Sequence, residues 1–142
     1  MIYTVTMNPS LDYLLSLPAL QAGETNRSAA ERLVAGGKGI NVSKMLYNLG
    51  TDSIIWGFAG GFSGEELCRQ LTAAGLRQDL IFLHNGNTRI NVKLSAGQET
   101  EVNAKGPQAE EEALQIFYRR LEALTAEDYV VLSGSLLPGM PC

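Results

Sequence analysis

Four consecutive residues, Gly36-Gly37-Lys38-Gly39, form the densest glycine cluster of this 142-residue chain. They open a helical pattern that runs to Gly50. A backbone without Cβ atoms lets a ligand approach closely, and free amides at a helix N-terminus, together with the Lys38 ammonium, favour an anionic or hydroxyl-rich ligand. The alternative is a purely structural strand-to-helix turn. Neither the Walker motif G-x-x-x-x-G-K-[ST] nor the dinucleotide motif G-x-G-x-x-G occurs in the sequence. Their absence disfavours a nucleotide-binding α/β protein of either type.

Two further groups of polar residues have the spacing of a binding site. Asp12 follows the turn-forming residues 8–10, where its carboxylate either accepts hydrogen bonds from sugar hydroxyls or caps the turn. Arg89, Asn91 and Lys93 alternate along one predicted strand and therefore point to the same face. Two cations and an amide on one face can bind a phosphate, although a solvated strand face has the same pattern.

These candidates fall where strands of a predicted sheet end. Residues 8–12, 36–41 and 133–139 each follow a predicted strand or precede a helix, and Gly57 to Gly64 do so as well. In open α/β sheets, ligands bind outside the carboxyl ends of the strands. The sequence therefore predicts one binding site built from several segments. His84 adjoins Asn85-Gly86 and is predicted to be an exposed turn residue rather than a base.

The elements that must position this site alternate between short β-rich runs and helical patterns, which is typical of an α/β architecture. We expect an open, mostly parallel sheet flanked by helices, with a small antiparallel sheet beside it. The predicted strands are residues 2–7, 12–17, 25–34, 53–58, 79–84, 87–94, 99–103 and 129–132. The predicted helices lie between the glycine cluster and Gly50, between Ser63 and Gly75, and over residues 108–124.

Local patterns predict how these elements begin, turn and pack. Ser63 and Glu66 have the spacing of a capping box. Asn85-Gly86 is a hairpin signal between residues 79–84 and 87–94, which predicts a three-strand meander together with residues 99–103. The apolar face of the first helix is predicted to hold Val42, Met45, Leu46 and Leu49. Trp56, Phe58 and Phe117 are predicted to be core residues.

Composition limits the class of protein. The chain suits one domain, and its net charge of −4 disfavours a diffuse nucleic-acid surface. Its apolar runs are far shorter than a membrane span, and its first residues lack the features of a signal peptide. Cys68 and Cys142 have no metal-type spacing and are too few for a disulfide framework. We expect a soluble, cytoplasmic, globular protein.

Five segments together resemble the ribokinase-like carbohydrate kinases of the phosphofructokinase B type. The glycine cluster lies in A-G-G-K-G-I-N-V-S, with Gly50 and Gly60 downstream, and resembles the N-terminal signature of that family. T-x-N-P-S-x-D, T-R-I-N-V-K, E-V-N and S-G-S-L resemble its hexose-phosphate branch. These segments are residues 35–43, 6–12, 88–93, 101–103 and 133–136. The resemblance covers essentially the whole chain.

The resemblance implies a particular reaction. The motifs are most like those of the members that use ATP and Mg²⁺ to phosphorylate the 6-hydroxyl of fructose 1-phosphate, giving fructose 1,6-bisphosphate. Members that act on tagatose 6-phosphate or fructose 6-phosphate share much of the pattern. An arginine tends to stand at the position of Glu101 in members that act on fructose 6-phosphate, so Glu101 favours the 1-phosphate. A non-catalytic sugar-phosphate-binding or dimerising module is the alternative of another class.

The resemblance also implies roles for individual residues. Asp12 and Asn41 would hold sugar hydroxyls, Gly37 and Lys38 would line the sugar pocket, and Arg89 would bind the substrate phosphate. Further members of the substrate site would be Asn91, Lys93, Asn103 and Ser135. Residues 12–17, 25–34 and 79–103 would form a lid sheet, inserted in an α/β core that spans residues 1–142. The lids of two subunits would pack together in a homodimer.

One family motif does not occur in the sequence. The catalytic aspartate and the anion hole of the family lie in a G-A-G-D motif in the second half of its chain, beside the ATP pocket. No G-A-G-D occurs within residues 1–142, so we expect no catalytic base in this chain and expect one beyond residue 142. The isolated 142-residue chain would then hold the sugar side of the site and be inactive alone.

Overall fold

The computed structural model describes residues 1–140, and within them the chain forms three helices and two four-stranded sheets. The strands are β1 (Ile2–Thr6), β2 (Ser10–Ser16), β3 (Ala30–Gly36), β4 (Ile54–Gly60), β5 (Arg77–Leu83), β6 (Arg89–Ser95), β7 (Glu99–Val102) and β8 (Tyr129–Leu132). The helices are α1 (Lys38–Asn48), α2 (Gly61–Ala73) and α3 (Glu111–Glu122). The expected fold class, an open parallel sheet flanked by helices with a second sheet beside it, is confirmed, although the second sheet has as many strands as the first.

The core sheet has the strand order β5-β4-β1-β8, and all of its neighbouring strands are parallel. Successive β4 residues enter different hydrophobic clusters because side chains alternate across a sheet. Ile55 packs with residues of α1 and α2 on one face. Trp56 and Phe58 pack with Phe117 of α3 on the other face. Helices therefore cover both faces of the sheet, and the three predicted aromatic core residues are buried.

The second sheet, which we call the outer sheet, has the strand order β3-β2-β6-β7. The pairs β2–β3 and β6–β7 are antiparallel, as expected of the inserted strands. The central pair β2–β6 is parallel, with Asp12 opposite Asn91, so the sheet is mixed. This follows from the connection, because parallel neighbours need a long crossover and the chain passes through the core between β2 and β6. β3 begins at Ala30 rather than at residue 25.

The predicted hairpin at Asn85-Gly86 is wrong. Residues 79–83 belong to β5, which pairs in parallel with β4 at the edge of the core sheet, and β6 lies in the outer sheet. Ile81 and Leu83 are buried in the core, which holds β5 away from the outer sheet. The turn therefore connects two sheets, and the three-strand meander reduces to the β6–β7 hairpin.

The predicted apolar face of α1 is also wrong. Met45 is 59% exposed and Leu49 is 71% exposed, whereas Gly39, Ile40 and Ser43 are buried. The small residues allow α1 to lie directly against the core sheet. A Cβ at Gly39 would be 2.7 Å from the main-chain oxygen of Val5 in β1. Closeness of the backbones, rather than a wide apolar stripe, decides which face of α1 packs.

The predicted capping box at the start of α2 does not form. The Ser63 hydroxyl donates to the Thr88 main-chain oxygen at 2.6 Å instead of capping its own helix. The Glu66 carboxylate accepts hydrogen bonds from Arg69 and Gln70, and these bonds lower the pKa of Glu66 to about 2. Thr88 also accepts a hydrogen bond from the Gly60 amide through its side-chain oxygen. Ser63 and Thr88 therefore connect α2 to the start of β6.

Strand β8 is at an edge of the core sheet and carries exposed apolar side chains. Tyr129 is 70% exposed and Leu132 is 67% exposed.

Cys68 is a half-buried thiol, and the expectation for Cys142 lies outside the described residues. No helix within residues 1–140 is long and apolar enough to cross a membrane.

Candidate functional site

A cavity of about 300 Å³ lies where the carboxyl end of β1 and the N-terminus of α1 meet the outer sheet. Eight of the nine site residues predicted from the sequence line it, and Asn103 does not. The eight are Asp12, Gly37, Lys38, Asn41, Arg89, Asn91, Lys93 and Ser135. Asn103 follows β7 as an exposed residue, so its role stays a prediction. The convergence of segments at one end of the sheet places the cavity where α/β proteins bind ligands.

This cavity is not the largest in the described part of the chain. A groove of about 590 Å³ lies further out on the same face of the outer sheet, beside Leu14, Leu94 and Lys93. We consider the smaller cavity the functional candidate because it combines charged side chains, glycine backbone and strand ends. Binding sites are distinguished by such convergent polar groups more than by volume.

Asp12 is held by three donors. Ser10 Oγ donates to Asp12 Oδ1 at 2.7 Å and Asn91 Nδ2 donates to the same oxygen at 3.0 Å. Lys93 Nζ lies 3.1 Å from Oδ2. Burial raises the pKa of Asp12, but the hydrogen bonds from Ser10, Lys93 and Asn91 and the charge of Lys93 lower it more, and the net pKa lies below its ordinary value of 3.8. Asp12 is therefore an ionised, fixed acceptor, suited to hydroxyl groups.

The Lys93 contribution to this pKa can be tested directly. In Lys93→Met, we expect the pKa of Asp12 to rise, because burial opposes ionisation and an ion-pair partner and donor is gone. A carboxyl group whose pKa is depressed in the folded protein stabilises the fold at pH values above its pKa in the unfolded chain, which is about 4. That contribution is lost as the pH falls through the pKa of the folded state. The variant should therefore lose this contribution at a higher pH. Carboxyl NMR titration measures the pKa.

Glu101→Gln is the matched control for Lys93→Met. Glu101 Oε1 lies 3.5 Å from Lys93 Nζ, so this substitution removes the second partner of Lys93 and leaves its contact with Asp12. We expect the pKa of Asp12 to stay depressed in this variant. An unchanged titration of Asp12 in Lys93→Met would contradict the ion-pair explanation.

The turn from β3 into α1 needs its glycines. Gly37 has φ +141°, and a Cβ there would lie 2.7 Å from Thr6 Cγ2. The Thr6 hydroxyl accepts a hydrogen bond from the Ile40 amide at 3.0 Å, which fixes the first turn of α1 against β1. Gly37, the N-cap residue, has no side chain that could cap this helix. Lys38 and free backbone amides therefore face the cavity together, an arrangement that suits an anion.

Arg89 lines the cavity from the start of β6 and has hydrogen-bond donors that are not fully used. Its Nη1 is 3.4 Å from the Ala104 main-chain oxygen, and its Nη2 is 3.4 Å from Ser135 Oγ. Both contacts are long, and within the described residues its buried Nε has no hydrogen-bond partner. A phosphate would satisfy these donors better than the present contacts do, because guanidinium and phosphate pair in a bidentate way.

Asn91 is buried and connects two parts of the site. Its amide nitrogen donates to Asp12, and its Oδ1 accepts a hydrogen bond from the Ala104 amide at 3.2 Å. With both ends engaged, Asn91 orients Asp12 and the chain after β7.

Sequence reasoning missed several residues of this site. Thr6, Asn8 and Ser10 line the cavity and are nearly fully buried. Ser10 shares a strand face with Asp12 because it lies two positions earlier, so strand alternation was the available signal. Asn8 was interpreted only as part of a turn; its amide nitrogen in fact donates to two loops.

No cluster of three His, Cys, Asp or Glu side chains that suits a metal ion occurs within residues 1–140. The candidate site combines the Asp12 carboxylate with three cations, Lys38, Arg89 and Lys93, which line the same cavity.

A parallel α/β core with a mixed sheet over a polar cavity at the strand ends is the architecture of a small-molecule-binding α/β protein. Residues 5–142 match the model of the pfkB family carbohydrate kinases, and the chain belongs to that family. It is 42% identical over 141 residues to the 1-phosphofructokinase of Bacillus subtilis and 37% identical over 142 residues to a tagatose-6-phosphate kinase of Staphylococcus epidermidis. Each match covers 99% of this chain and 46% of the relative.

A solved structure agrees with this assignment. Phosphofructokinase-2 from Escherichia coli, in complex with substrates and products, superposes with a TM-score of 0.92 at 27% identity. The match covers 99% of this chain and 46% of that structure. The chain therefore spans about half the length of the relatives that it matches.

Proposed function

We propose that the protein is a sugar-phosphate kinase that uses ATP to phosphorylate the 6-hydroxyl of fructose 1-phosphate, and that residues 1–142 supply its sugar-binding half. The observation that carries the proposal is the position of Asp12 and Arg89 in one cavity of about 300 Å³. A fixed carboxylate suits sugar hydroxyls, and an arginine with unused donors suits the phosphate that the substrate already carries.

The proposed orientation of the substrate follows from charge. Its phosphate would lie between Arg89 and the N-terminus of α1, where Lys38 and the free amides add positive potential. Its hydroxyls would face Asp12 and Asn41. Lys93 is already paired with Asp12 and Glu101, so it would keep Asp12 ionised rather than bind the phosphate alone. Ser135 would complete the phosphate end.

The choice of fructose 1-phosphate rests on Glu101 and on the relatives. An arginine at this position would add a cation for a substrate phosphate, whereas Glu101 carries the opposite charge. It lies 3.5 Å from Lys93 Nζ and lines the groove further out on the outer sheet. The chain is similar to a 1-phosphofructokinase at 42% identity and to a tagatose-6-phosphate kinase at 37% identity. Tagatose 6-phosphate is therefore the competing substrate that the experiment must include.

Phosphoryl transfer needs groups that we expect beyond residue 142. ATP and Mg²⁺ would supply the phosphoryl group and neutralise its developing charge, and a catalytic aspartate of a G-A-G-D motif would accept the hydroxyl proton. The outer sheet would act as a lid that excludes water, a competing phosphoryl acceptor. We propose a cytoplasmic location for the protein because the proposed reaction consumes ATP.

Calorimetric titration of the protein with separate sugar phosphates tests the proposal. We expect fructose 1-phosphate to bind more tightly than fructose 6-phosphate or tagatose 6-phosphate. Tighter binding of tagatose 6-phosphate would contradict the choice of fructose 1-phosphate as the substrate. No binding of any of the three would contradict the proposed function. For the polypeptide of residues 1–142 alone we expect no ADP production from ATP and fructose 1-phosphate, and measurable turnover would contradict its role as a half-site.

We further propose that the protein is a homodimer joined through its outer sheet. The strand registers place Leu11, Ala35, Leu33 and Val102 on one face of this sheet, opposite to the face that carries Asp12. The inner part of that face is covered, with Leu11 and Ala35 buried in the core. Its outer part is open, with Leu33 37% exposed and Val102 60% exposed. An apolar face that continues into solvent suits a second copy of itself.

Val102→Glu should convert the dimer to a monomer, because the substitution places a charge on the exposed apolar part of the proposed interface. Sedimentation velocity at several protein concentrations measures the change. Tyr118→Glu on α3 is the matched control, since Tyr118 is a partly exposed apolar residue on the far side of the core sheet. A monomeric unsubstituted protein, or a Val102→Glu variant that remains dimeric, would contradict the proposal.

A further inference from the structure

Asn8 is a buried amide in the lining of the candidate cavity, and it joins two loops. It follows β1 and is 3% exposed. Its Nδ2 donates to the Lys105 main-chain oxygen at 2.8 Å and to the Leu136 main-chain oxygen at 3.1 Å. Both neighbours are carbonyl acceptors, so the amide nitrogen and not the amide oxygen must face them. One side chain therefore holds the chain after β7 and the chain after β8 together.

The other side of Asn8 lies against the chain after β7. We call residues 104–106 the strap. Gly106 has φ +90°, and a Cβ at this position would overlap Asn8 Oδ1. Glycine therefore serves both the left-handed conformation and the close approach. The strap lies against Asn8 with no space between them.

Each carbonyl held by Asn8 belongs to a residue next to one that contacts Arg89. Lys105 follows Ala104, whose oxygen lies 3.4 Å from Arg89 Nη1. Leu136 follows Ser135, whose hydroxyl lies 3.4 Å from Arg89 Nη2. Asn8 thus fixes both sides of the slot that the guanidinium occupies, and within the described residues no hydrogen bond joins it to Arg89 directly.

We propose that Asn8 is a positioning residue that sets the Arg89 guanidinium at the phosphate end of the cavity by locking the strap to the loop after β8. This inference rests on the proposed function of Arg89. Asn8 does not need to touch the substrate, since both hydrogens of its amide nitrogen are already used within the protein. Without this connection, Arg89 would keep its charge and lose its fixed direction, and bidentate binding depends on that direction.

Asn8→Asp is the sharpest substitution, because it keeps the shape and places a carboxylate oxygen against two carbonyl oxygens. We expect affinity for fructose 1-phosphate to fall at least tenfold and hydrogen exchange of the Ala104 amide to accelerate. Asn8→Ala removes the donor without adding a charge and replaces the aspartate variant if that variant does not fold. Asn26→Asp is the matched control, since Asn26 Nδ2 also donates to two main-chain oxygens, those of Gln21 and Glu24, in an exposed turn.

A double-mutant cycle with Arg89→Ala separates positioning from a general structural role. If Asn8 acts through Arg89, the double variant Asn8→Ala with Arg89→Ala binds fructose 1-phosphate no more weakly than Arg89→Ala alone. Multiplying losses would overturn the inference, as would unchanged Ala104 exchange in Asn8→Ala. If the unsubstituted protein binds no sugar phosphate, the proposed function fails and Asn8 has no phosphate group to position; Ala104 exchange still reports whether the connection itself exists.

Discussion

Asp12→Ala is expected to weaken binding of fructose 1-phosphate by roughly 100-fold. A hydrogen bond to a charged group contributes about 1.5–3 kcal/mol, and each 1.4 kcal/mol changes affinity tenfold. Asp12 is fixed by Ser10, Asn91 and Lys93 before any ligand arrives, so little ordering cost offsets its contacts. The loss of the carboxylate removes both the acceptor and the group that these donors hold. Calorimetric titration of the variant measures the change.

Asp12→Asn distinguishes charge from shape in the same experiment. The amide keeps the volume and one acceptor oxygen, so we expect a loss of about tenfold, between the unsubstituted protein and Asp12→Ala. Asp52→Ala is the control, since Asp52 is an exposed aspartate in the loop before β4. Equal affinities of Asp12→Ala and Asp52→Ala would contradict a binding role for Asp12.

The site was predictable from the sequence because its residues follow strand ends. Parallel strands place their carboxyl ends at one edge, so the segment that leads from β1 to Asp12 and the segment after β8 had to meet. Lys38 reaches the same cavity because β3, which precedes it, pairs with β2 and places Gly36 opposite Ser10. The alternation of Arg89, Asn91 and Lys93 predicted a shared face, and all three line the cavity. The position of Asn103 could not be predicted in this way. It follows a short edge strand, and nothing in the spacing decided on which side it would lie.

The errors have a common physical cause. Periodicity and turn signals describe a segment alone, whereas Asn85-Gly86, Ser63 and the face of α1 are decided by partners distant in the sequence. Ser63 bonds to Thr88, 25 residues away, rather than to its own helix. The turn at Asn85 is held by the Glu110 carboxylate, which accepts hydrogen bonds from the His84 and Asn85 amides. These bonds lower the pKa of Glu110.

Arg89→Ala is expected to weaken binding of fructose 1-phosphate by about 100-fold and to reduce its dependence on salt. The guanidinium reaches the cavity from beside the strap. Two charge-assisted hydrogen bonds to phosphate, at the low end of their range, contribute about 3 kcal/mol, which corresponds to a loss of about 100-fold. Arg89→Lys keeps the charge but not the planar fork, so it should recover only part of the affinity. Titrations at low and high ionic strength measure both effects.

Arg119→Ala provides the control, because Arg119 is an exposed arginine on α3, away from the cavity. It changes the net charge of the protein as Arg89→Ala does, so a general electrostatic effect would appear in both variants. We expect Arg119→Ala to bind like the unsubstituted protein. Full recovery in Arg89→Lys would show that charge alone is sufficient. The long contacts of Arg89 with Ala104 and Ser135 would then have no role in orienting a phosphate, and the position of Asn8 behind them would lose its functional meaning.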